Sequence, residues 1–396
     1  MSQAVQGRAP PKRRDWSWRS QAFRGLVYQI LAIALIGLAV WFLAHNTLEN
    51  MRVRGIQSGF GFLMSPAGFD IGEPLFNYDA LDPYWKAFLV GVGNTLRVAI
   101  IGIVMTTILG TVLGVGRFSH NALVRGLCYG YVELFRNIPV LLQLLMWYLV
   151  FTEILPDPFD PVSAFGLFFL SKGGFQYPVP VWGLGQALAA VGGAVGLFLA
   201  WFYRRWARRR FEQTGHVRSM FWVPVGIVVA CAVLGWVLGG APTAWNLPHR
   251  GEGMVEDGAA VTPEFMAVLL GLVFYTSSFV AEVVRAGIQS VSHGQVEAAS
   301  SLGLSKNQSM RLVILPQALR VIIPPMTNQY LNLTKNSSLA VAIGYPDVVS
   351  IANTAINQTG RAVECIAIIM AVYLTTSLTT SAIMNWYNKR AAIKER

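Results

Sequence analysis

Charged residues are scarce in this chain. They make up 13% of its 396 residues, whereas hydrophobic residues make up 54%, and the mean hydropathy is +0.47. A soluble globular protein normally carries about 25% charged residues, most of them on its surface. The shortage excludes an ordinary soluble protein and predicts an all-α polytopic membrane protein.

Cysteine is also rare, and several motifs of catalytic sites are missing. Cys128, Cys231 and Cys365 stand far apart in apolar segments, and the five histidines are scattered, which argues against a disulfide framework, a metal site or a redox site. The chain has no G-x4-G-K-[ST] phosphate loop and no G-x-S-x-G turn. We therefore expect this chain to bind no metal or cofactor and to catalyse no reaction itself.

Long apolar runs are what the sequence has instead. A helix crosses a bilayer with about 20 apolar residues, and eight segments of the chain meet this requirement. We place the spans at 25–45, 87–116, 127–153, 182–203, 221–240, 264–288, 317–337 and 363–387. The third and the seventh are unusual, because one contains Glu133 and Arg136 and the other contains two prolines and Lys335.

The distribution of basic residues predicts the orientation of these spans. Of the 31 lysines and arginines, 22 fall on one side of the alternating spans, seven fall on the other side and two fall inside spans. Basic residues accumulate on the cytoplasmic side, so both termini are expected there. The net charge of +11 raises the alternative of nucleic-acid binding. However, the basic clusters adjoin span ends, which favours contact with anionic lipid headgroups.

One polar loop, residues 292–316, stands out between the apolar segments. Ser292 and Gln295 have the spacing of a capping box, which predicts a short helix ending at Gly303, a residue suited to positive φ. Ser305 repeats the box with Gln308, which predicts a second helix that Pro316 would end. The 292–316 loop is therefore expected to form two short helices joined by a rigid elbow.

The first of these helices has features of a docking surface. Ala298 and Ala299 are small enough for a partner surface to approach closely, and Glu297 would be stabilised by the dipole if it lies near the helix N-terminus. An ordinary cytoplasmic helix-turn-helix linker is the alternative interpretation.

The spacing of this loop resembles that of a known family. Glu297-Ala298-Ala299 is followed by three residues, Gly303, nine residues and Val313-Ile314-Leu315-Pro316. This resembles the EAA loop of permease subunits of ATP-binding-cassette (ABC) importers, EAA-x3-G-x9-I-x-L-P, with valine in place of the isoleucine. Segments 91–96, 131–143 and 335–340 are similar to the polar-amino-acid branch of these permeases. The resemblance covers roughly residues 86–155 and 262–390.

The resemblance implies a type I ABC importer permease in the bacterial inner membrane that forms the translocation path for polar, acidic or a broad range of L-amino acids. It further implies two copies of an ATPase that carry ATP and Mg, a periplasmic amino-acid-binding protein, and either a shorter paralogous permease or a second copy of this chain. The residues that would couple to the ATPase are Glu297, Ala298, Ala299, Gly303, Leu304 and Pro316.

The same resemblance suggests how the chain is divided. The expected segments are an N-terminal tail 1–24, a first span with its periplasmic loop 25–85, core 86–155, an insertion 156–262, core 263–390 and a tail 391–396. The middle insertion (156–262) adds two spans, as in the larger permease of general L-amino-acid or glutamate/glutamine/aspartate/asparagine transporters. Its Gly/Ala-rich run 187–200 would pack closely on another helix or face lipid.

Polar residues inside the spans are candidates for the substrate path or a gate, because burying them in a membrane is costly. They are Glu133, Arg136, Asn332, Thr334, Lys335, Asn336 and Ser337. Arg136 has two open roles: pairing with Glu133, which the i,i+3 spacing favours, or binding a substrate carboxylate. Lys335 either lines the path or extends to the interface.

Two other functions stay open at this point. An ion-driven secondary transporter would need no ATPase, although a clear inverted repeat is lacking. A membrane receptor or scaffold would use the 292–316 loop to dock a signalling partner.

Overall fold

The computed structural model describes residues 21–53, 55, 58–215, 219–251 and 254–391. The predicted terminal tails lie mostly outside the described residues, at 1–20 and 392–396.

Helices account for most of the described chain. The α-helices are α1 Gln21–Val53, α2 Tyr84–Gly116, α3 Ala122–Asn137, α4 Val140–Leu149, α5 Leu184–Thr214, α6 Trp222–Leu238, α7 Pro263–Gln289, α8 His293–Ser301, α9 Lys306–Ser309, α10 Leu315–Asn336, α11 Val348–Thr359 and α12 Ala362–Ala391. Short 3-10 helices occupy Phe60–Met64 and Ser337–Ile343, and π-helical turns occupy Val150–Ile154 and Met310–Ile314.

The eight predicted spans correspond to helices, but not all are single straight ones. Among the described residues, five helices are long and apolar enough to cross a membrane, namely α1, α2, α5, α7 and α12. Helix α6 is apolar but has 17 residues. The predicted third and seventh spans are each part of a bent pair, with angles of 105° and 48°. The two spans that the sequence marks as unusual are therefore the ones that bend.

The 105° bend lies between α3 and α4, at Ile138 and Pro139. Proline disfavours helical backbone at the preceding residue, and Ile138 is extended. A break inside an apolar region leaves carbonyl groups that need donors. The buried Gln143 supplies them, because its Nε2 donates to the carbonyl oxygens of Phe135 and Ile138, both at 2.9 Å.

Helix α11 follows the second bend and was missed in the sequence. The Asp347 carboxylate caps it by accepting from the amide of Ser350 at 2.8 Å, and Gly360 ends it with a φ of 70°. Its buried positions include Val348, Ile351 and Ala355, at helical spacing. Capping and periodicity were both visible in the sequence, but twelve residues are too few to span a membrane.

Short strands in the middle insertion were also missed. They are β1 Val162–Ala164, β2 Phe168–Ser171, β3 Gly174–Tyr177, β4 Val179–Pro180, β5 Trp245–Asn246, β6 His249–Arg250, β7 Val255–Glu256 and β8 Ala259–Val261. The first three and β8 form an antiparallel sheet in the order β1-β2-β3-β8, while β4–β5 and β6–β7 are two-stranded. Strands of two to four residues are too short for a clear alternating pattern.

Helix α7 is the centre of the core and packs against α2, α3, α4 and α10. Its approach to α2 depends on small residues: a β-carbon at Gly110 would lie 2.9 Å from the Ser277 carbonyl oxygen, and one at Gly114 would lie 2.8 Å from that of Ala281. The spacing Gly110-x3-Gly114 thus serves helix packing, as close approach in membranes requires.

Helices α5 and α6 form a separate hairpin and pack chiefly on each other. Glycines again allow the contact, since a β-carbon at Gly192 would lie 2.3 Å from the Cys231 carbonyl oxygen and one at Gly235 would lie 2.2 Å from that of Leu188. The Gly/Ala-rich run therefore packs on a helix, which is one of the two alternatives left open by the sequence.

Candidate functional site

The 292–316 loop forms the predicted elbow. Gly303 has a φ of 74°, and its amide donates to the Ser300 carbonyl oxygen at 2.9 Å. The amide of Leu304 donates to the Ala299 carbonyl oxygen at 3.2 Å, so α8 ends in a Schellman motif. Nothing lies within 4 Å of a β-carbon placed on Gly303. The glycine is therefore required by its backbone conformation and not by neighbouring atoms.

The helix boundaries in this loop differ partly from the prediction. The box at Ser305 is present in both directions, at 2.9 and 3.4 Å, but the Ser292 side chain makes no capping bond. The Gln295 side chain instead accepts from Gln317 at 3.3 Å, because α10 offers it a donor. Pro316 does not end the second helix. The π-helical turn before it accommodates the missing donor, and the chain continues into α10.

The exposed surface of the loop also corrects two expectations. Ala298 and Glu297 are exposed, whereas Ala299 is buried and supports the turn. Glu297 is the fifth residue of α8, beyond its first turn, and its carboxylate lies 4.0 Å from the His293 imidazole. Leu302, next to Gly303, is 80% exposed and was not selected from the sequence. An apolar residue within a polar loop was the signal that could have identified it.

A shared carboxylate lies at the end of the core nearest to this loop. Glu282 on α7 accepts from Arg117 at 2.6 Å and pairs with Arg136 of α3 at 3.8 Å. Arg285, one turn later on α7, also donates to Glu282. We call these four residues the Glu282 cluster. It joins the ends of α2 and α3 to α7, seven residues before α7 ends.

The cluster corrects the predicted local pair of Arg136 and Glu133. Glu133 is exposed, and its carboxylate is 3.5 Å from the Asn137 side chain. Arg136 is aimed at α7, where it also lies 5.5 Å from the centre of the Phe279 ring. Charges attract more strongly in the partly buried cluster than across the exposed face of α3, so the tertiary partner replaces the neighbour in sequence.

The candidate path residues on α10 divide into two groups. Thr334 and Ser337 are buried, and their hydroxyls donate to carbonyl oxygens of their own helix, at 2.9 and 2.7 Å. Asn332 and Lys335 are exposed on one face of α10, and Asn336 is half-buried. The hydroxyls of Thr334 and Ser337 are therefore used in hydrogen bonds to the backbone at the end of α10, while the exposed side chains remain accessible.

A second polar junction joins α2 to the start of α11. The side-chain amide of Asn94 donates to the carbonyl oxygens of Glu73 at 3.1 Å and Pro346 at 2.9 Å. The Thr95 hydroxyl accepts from the amide of Val348 at 3.2 Å. Asn94 was not among the candidate residues, although a fully buried asparagine in an apolar helix was a usable signal.

At the same end, Glu73 holds the loop before α2 against the core. Its carboxylate lies 3.3 Å from the Arg97 guanidinium and accepts from the Thr262 hydroxyl at 3.1 Å, at the N-terminus of α7. Arg97 also lies 4.2 Å from the centre of the Phe265 ring. The two polar junctions therefore connect α2 and α7 near both of their ends.

Comparison with known proteins agrees with this arrangement. Residues 102–393 match the family model of the binding-protein-dependent transport system inner membrane component. The chain is 43% identical, over 96% of both chains, to the general L-amino acid transport system permease protein AapQ of Rhizobium johnstonii. It is 46% identical to the putative amino-acid ABC transporter permease protein YhdX of Escherichia coli, covering 96% of this chain and 97% of that protein.

A further relative has a name that states a narrower specificity. The glutamate/glutamine/aspartate/asparagine transport system permease protein BztB of Rhodobacter capsulatus is 37% identical, over 94% of this chain and 95% of its own. These matches exclude the ion-driven transporter and the scaffold as the primary function, and they assign ATP hydrolysis to a separate subunit. The chain belongs to the inner-membrane permease subunits of binding-protein-dependent ABC transporters, as a multi-pass membrane protein of the type I importer fold.

Proposed function

We propose that this chain forms the translocation path for L-amino acids, in a bacterial inner membrane, and is the larger permease of a broad-range or acidic/amide-specific system. The observation that carries the proposal is the similarity, along almost the whole chain, to permeases whose names state general L-amino-acid or glutamate/glutamine/aspartate/asparagine transport. The middle insertion is part of the matched length, which favours the larger type of permease.

In this proposal the 292–316 loop docks on the ATPase. Glu297, Ala298 and Leu302 form its exposed contact face, and Gly303 sets the angle of the elbow. Closure of the ATPase would displace α8, and two routes would pass the displacement to the core. One route is α10, through the helical continuation at Pro316, and the other is α7, which the Glu282 cluster links to the ends of α2 and α3.

The proposed assembly has two ATPase copies, which hold ATP and Mg, a periplasmic amino-acid-binding protein and a shorter paralogous permease. Alternation of the two permeases would open the path first outward and then inward. We place Asn332 and Lys335 on the path because they are the exposed residues among the polar candidates on α10. A cationic Lys335 would attract the side-chain carboxylate of acidic substrates.

Reconstitution tests the function directly. The purified complex in liposomes should take up radiolabelled amino acids only when the binding protein is present and ATP is supplied on the side of the membrane that carries the ATPase. Vanadate should stop this uptake. Competition by a panel of acidic, amide, basic and apolar amino acids would define the range. Uptake that survives vanadate, or a panel with no amino-acid competitor, would contradict the proposal.

Co-purification tests the docking loop separately. The tagged wild-type chain should retain the ATPase and a second permease in mild detergent, while Gly303→Val should lose the ATPase and keep the permease. Loss of both partners would indicate a misfolded chain, and retention of both would place ATPase docking elsewhere. A second copy of this chain in place of a paralogue would show a homodimer.

A further inference from the structure

The hairpin of α5 and α6 contains an apolar groove at one end. Its volume is about 330 Å³. Leu197 and Ala200 of α5 form one wall, Val225 and Val229 of α6 form the other, and Arg204 stands at the mouth. The hydrocarbon walls suit an apolar part of a ligand, and the guanidinium at the end suits an anionic part.

The position of the groove relative to the bilayer follows from helix length. The apolar part of α5 runs from Leu184 to Tyr203, and 20 residues at about 1.5 Å each span roughly 30 Å, the thickness of the hydrocarbon layer. Arg204 therefore falls at the level of the headgroups. Exposed Phe221 and Trp222 at the start of α6 agree with this level, since aromatic residues collect at membrane interfaces.

The charge beside the groove is strongly positive. Helix α5 continues past Tyr203 with a cluster of arginines and has Glu212 as its single acidic residue. The cluster consists of Arg204, Arg205, Arg208, Arg209 and Arg210. Arg205 and Arg210 lie over tryptophan rings of the same helix, at 5.3 and 5.5 Å. Among the described residues, Arg204 makes its hydrogen bond through Nε, to the Met220 carbonyl oxygen at 3.2 Å, which directs its two terminal nitrogens to other acceptors.

We propose that this groove is a binding site for an anionic diacyl phospholipid. One acyl chain lies between Leu197 and Val229, and the phosphate accepts two parallel hydrogen bonds from Arg204, in the fork geometry that guanidinium groups form with phosphate. The neighbouring arginines favour a headgroup with a net negative charge. The site gives the middle insertion a function of its own: the bound lipid covers the seam of a hairpin that otherwise packs chiefly on itself.

The site distinguishes this lipid from other ligands. A free phosphate would use Arg204 but leave the apolar walls in contact with lipid tails of the bulk bilayer. A zwitterionic lipid would fill the walls but bring a cationic headgroup next to five arginines. An anionic phospholipid satisfies both parts, so it should remain bound when bulk lipid is exchanged for detergent.

Native mass spectrometry of the purified complex tests the proposal. The wild-type complex, titrated with phosphatidylglycerol, should bind it at least tenfold more tightly than phosphatidylcholine, and glycerol phosphate should not compete. Arg204→Gln should weaken phosphatidylglycerol binding by about tenfold or more, the factor expected for lost hydrogen bonds to a charged group. Val229→Trp, which fills the groove and keeps the charge, should weaken both phospholipids.

Arg209→Gln is the matched control, because it removes the same charge from the same arginine cluster at a residue that does not line the groove. It should change phosphatidylglycerol affinity by less than about twofold, as a screened charge does. Equal losses in Arg204→Gln and Arg209→Gln would show attraction to the cluster as a whole and would overturn the site. Unchanged binding in Arg204→Gln would overturn it as well. Amino-acid uptake in these variants is a separate readout, so failure of the lipid site leaves the transport proposal intact.

Discussion

The core and the α5–α6 hairpin use different contacts to hold apolar helices together. In α7, two-thirds of the most apolar stretch is buried inside the protein, at 67%, against 17% for α5. The core helices enclose ionic and polar junctions, at Glu282 and at Asn94. Glycines placed against backbone atoms occur in both regions, at Gly114 between α2 and α7 and at Gly192 between α5 and α6, but these two polar junctions lie in the core.

This difference indicates which region transmits motion. Close backbone packing resists sliding, because any shift brings atoms into overlap. Polar junctions between separate helices can break and re-form in a second arrangement, which is the kind of element that carries conformational coupling. We therefore expect helices to move against each other at the polar junctions of the core, and α5 and α6 to stay together. The predictions below test this comparison, beginning with the largest expected effect.

Gly303→Val should reduce amino-acid uptake by about tenfold or more. A β-branched residue at a φ of 74° is strained by about 1–3 kcal/mol, so the elbow of the 292–316 loop would change its angle. Gly303→Asn is the matched control, because asparagine tolerates the left-handed conformation. Uptake is measured in cells and divided by the amount of chain in the membrane. Equal activity of the two variants would mean that the backbone conformation of Gly303 is unimportant.

Glu282→Gln should lower the free energy of unfolding by about 2–4 kcal/mol. The Arg117 side chain is only 6% exposed, and the substitution removes the carboxylate that pairs with its guanidinium. The value lies below that of a fully buried pair, since Glu282 itself is 26% exposed. Denaturant unfolding of the purified complex measures the change. Glu133→Gln is the control and should change stability by less than about 0.5 kcal/mol, as at an exposed site. If Glu133→Gln were the more damaging, the local pair with Arg136 would be restored as the better interpretation.

Gly192→Ala should separate α5 from α6 at a cost of about 1–3 kcal/mol, because the new methyl group would meet the Cys231 carbonyl oxygen. At the neighbouring Gly193 the nearest atom would be the Ala232 β-carbon at 3.9 Å, so Gly193→Ala should be close to neutral. Hydrogen exchange of the α5 and α6 amides in the whole complex measures the hairpin locally. We expect uptake to fall less than in Glu282→Gln, and a larger fall would remove the contrast between a moving core and a rigid hairpin.

Lys335→Gln is expected to have the smallest effect. It should raise KM for acidic amino acids about threefold to tenfold, the range of a partly screened charge interaction of about 1 kcal/mol, and leave KM for neutral ones unchanged. Lys172→Gln removes the same charge from the turn between β2 and β3 and serves as the control. An equal change in KM for acidic and neutral substrates would place Lys335 away from the substrate carboxylate.

Local features were readily predicted from the sequence. The positive φ of Gly303 and the capping box at Ser305 depend on neighbours within four residues, and the structure has both. The predicted pair of Glu133 and Arg136 was equally local but wrong, because Glu282 lies 146 positions from Arg136 and no periodic pattern connects them. The burial of single residues could not be predicted from the sequence either. Ala298 and Ala299 are adjacent alanines, yet Ala298 is exposed and Ala299 is buried.

The sequence by itself determined that this is a membrane protein with a polar loop bent at Gly303, because apolar length and backbone capping act over one helix at a time. It also determined the family, through the spacing of that loop. Only the tertiary structure decided which helices bend, which carboxylate the three arginines share and where α5 finds its partner. These outcomes depend on competition between contacts of residues far apart in the chain, and the free-energy difference between competing contacts is set by their burial and distance in the folded protein.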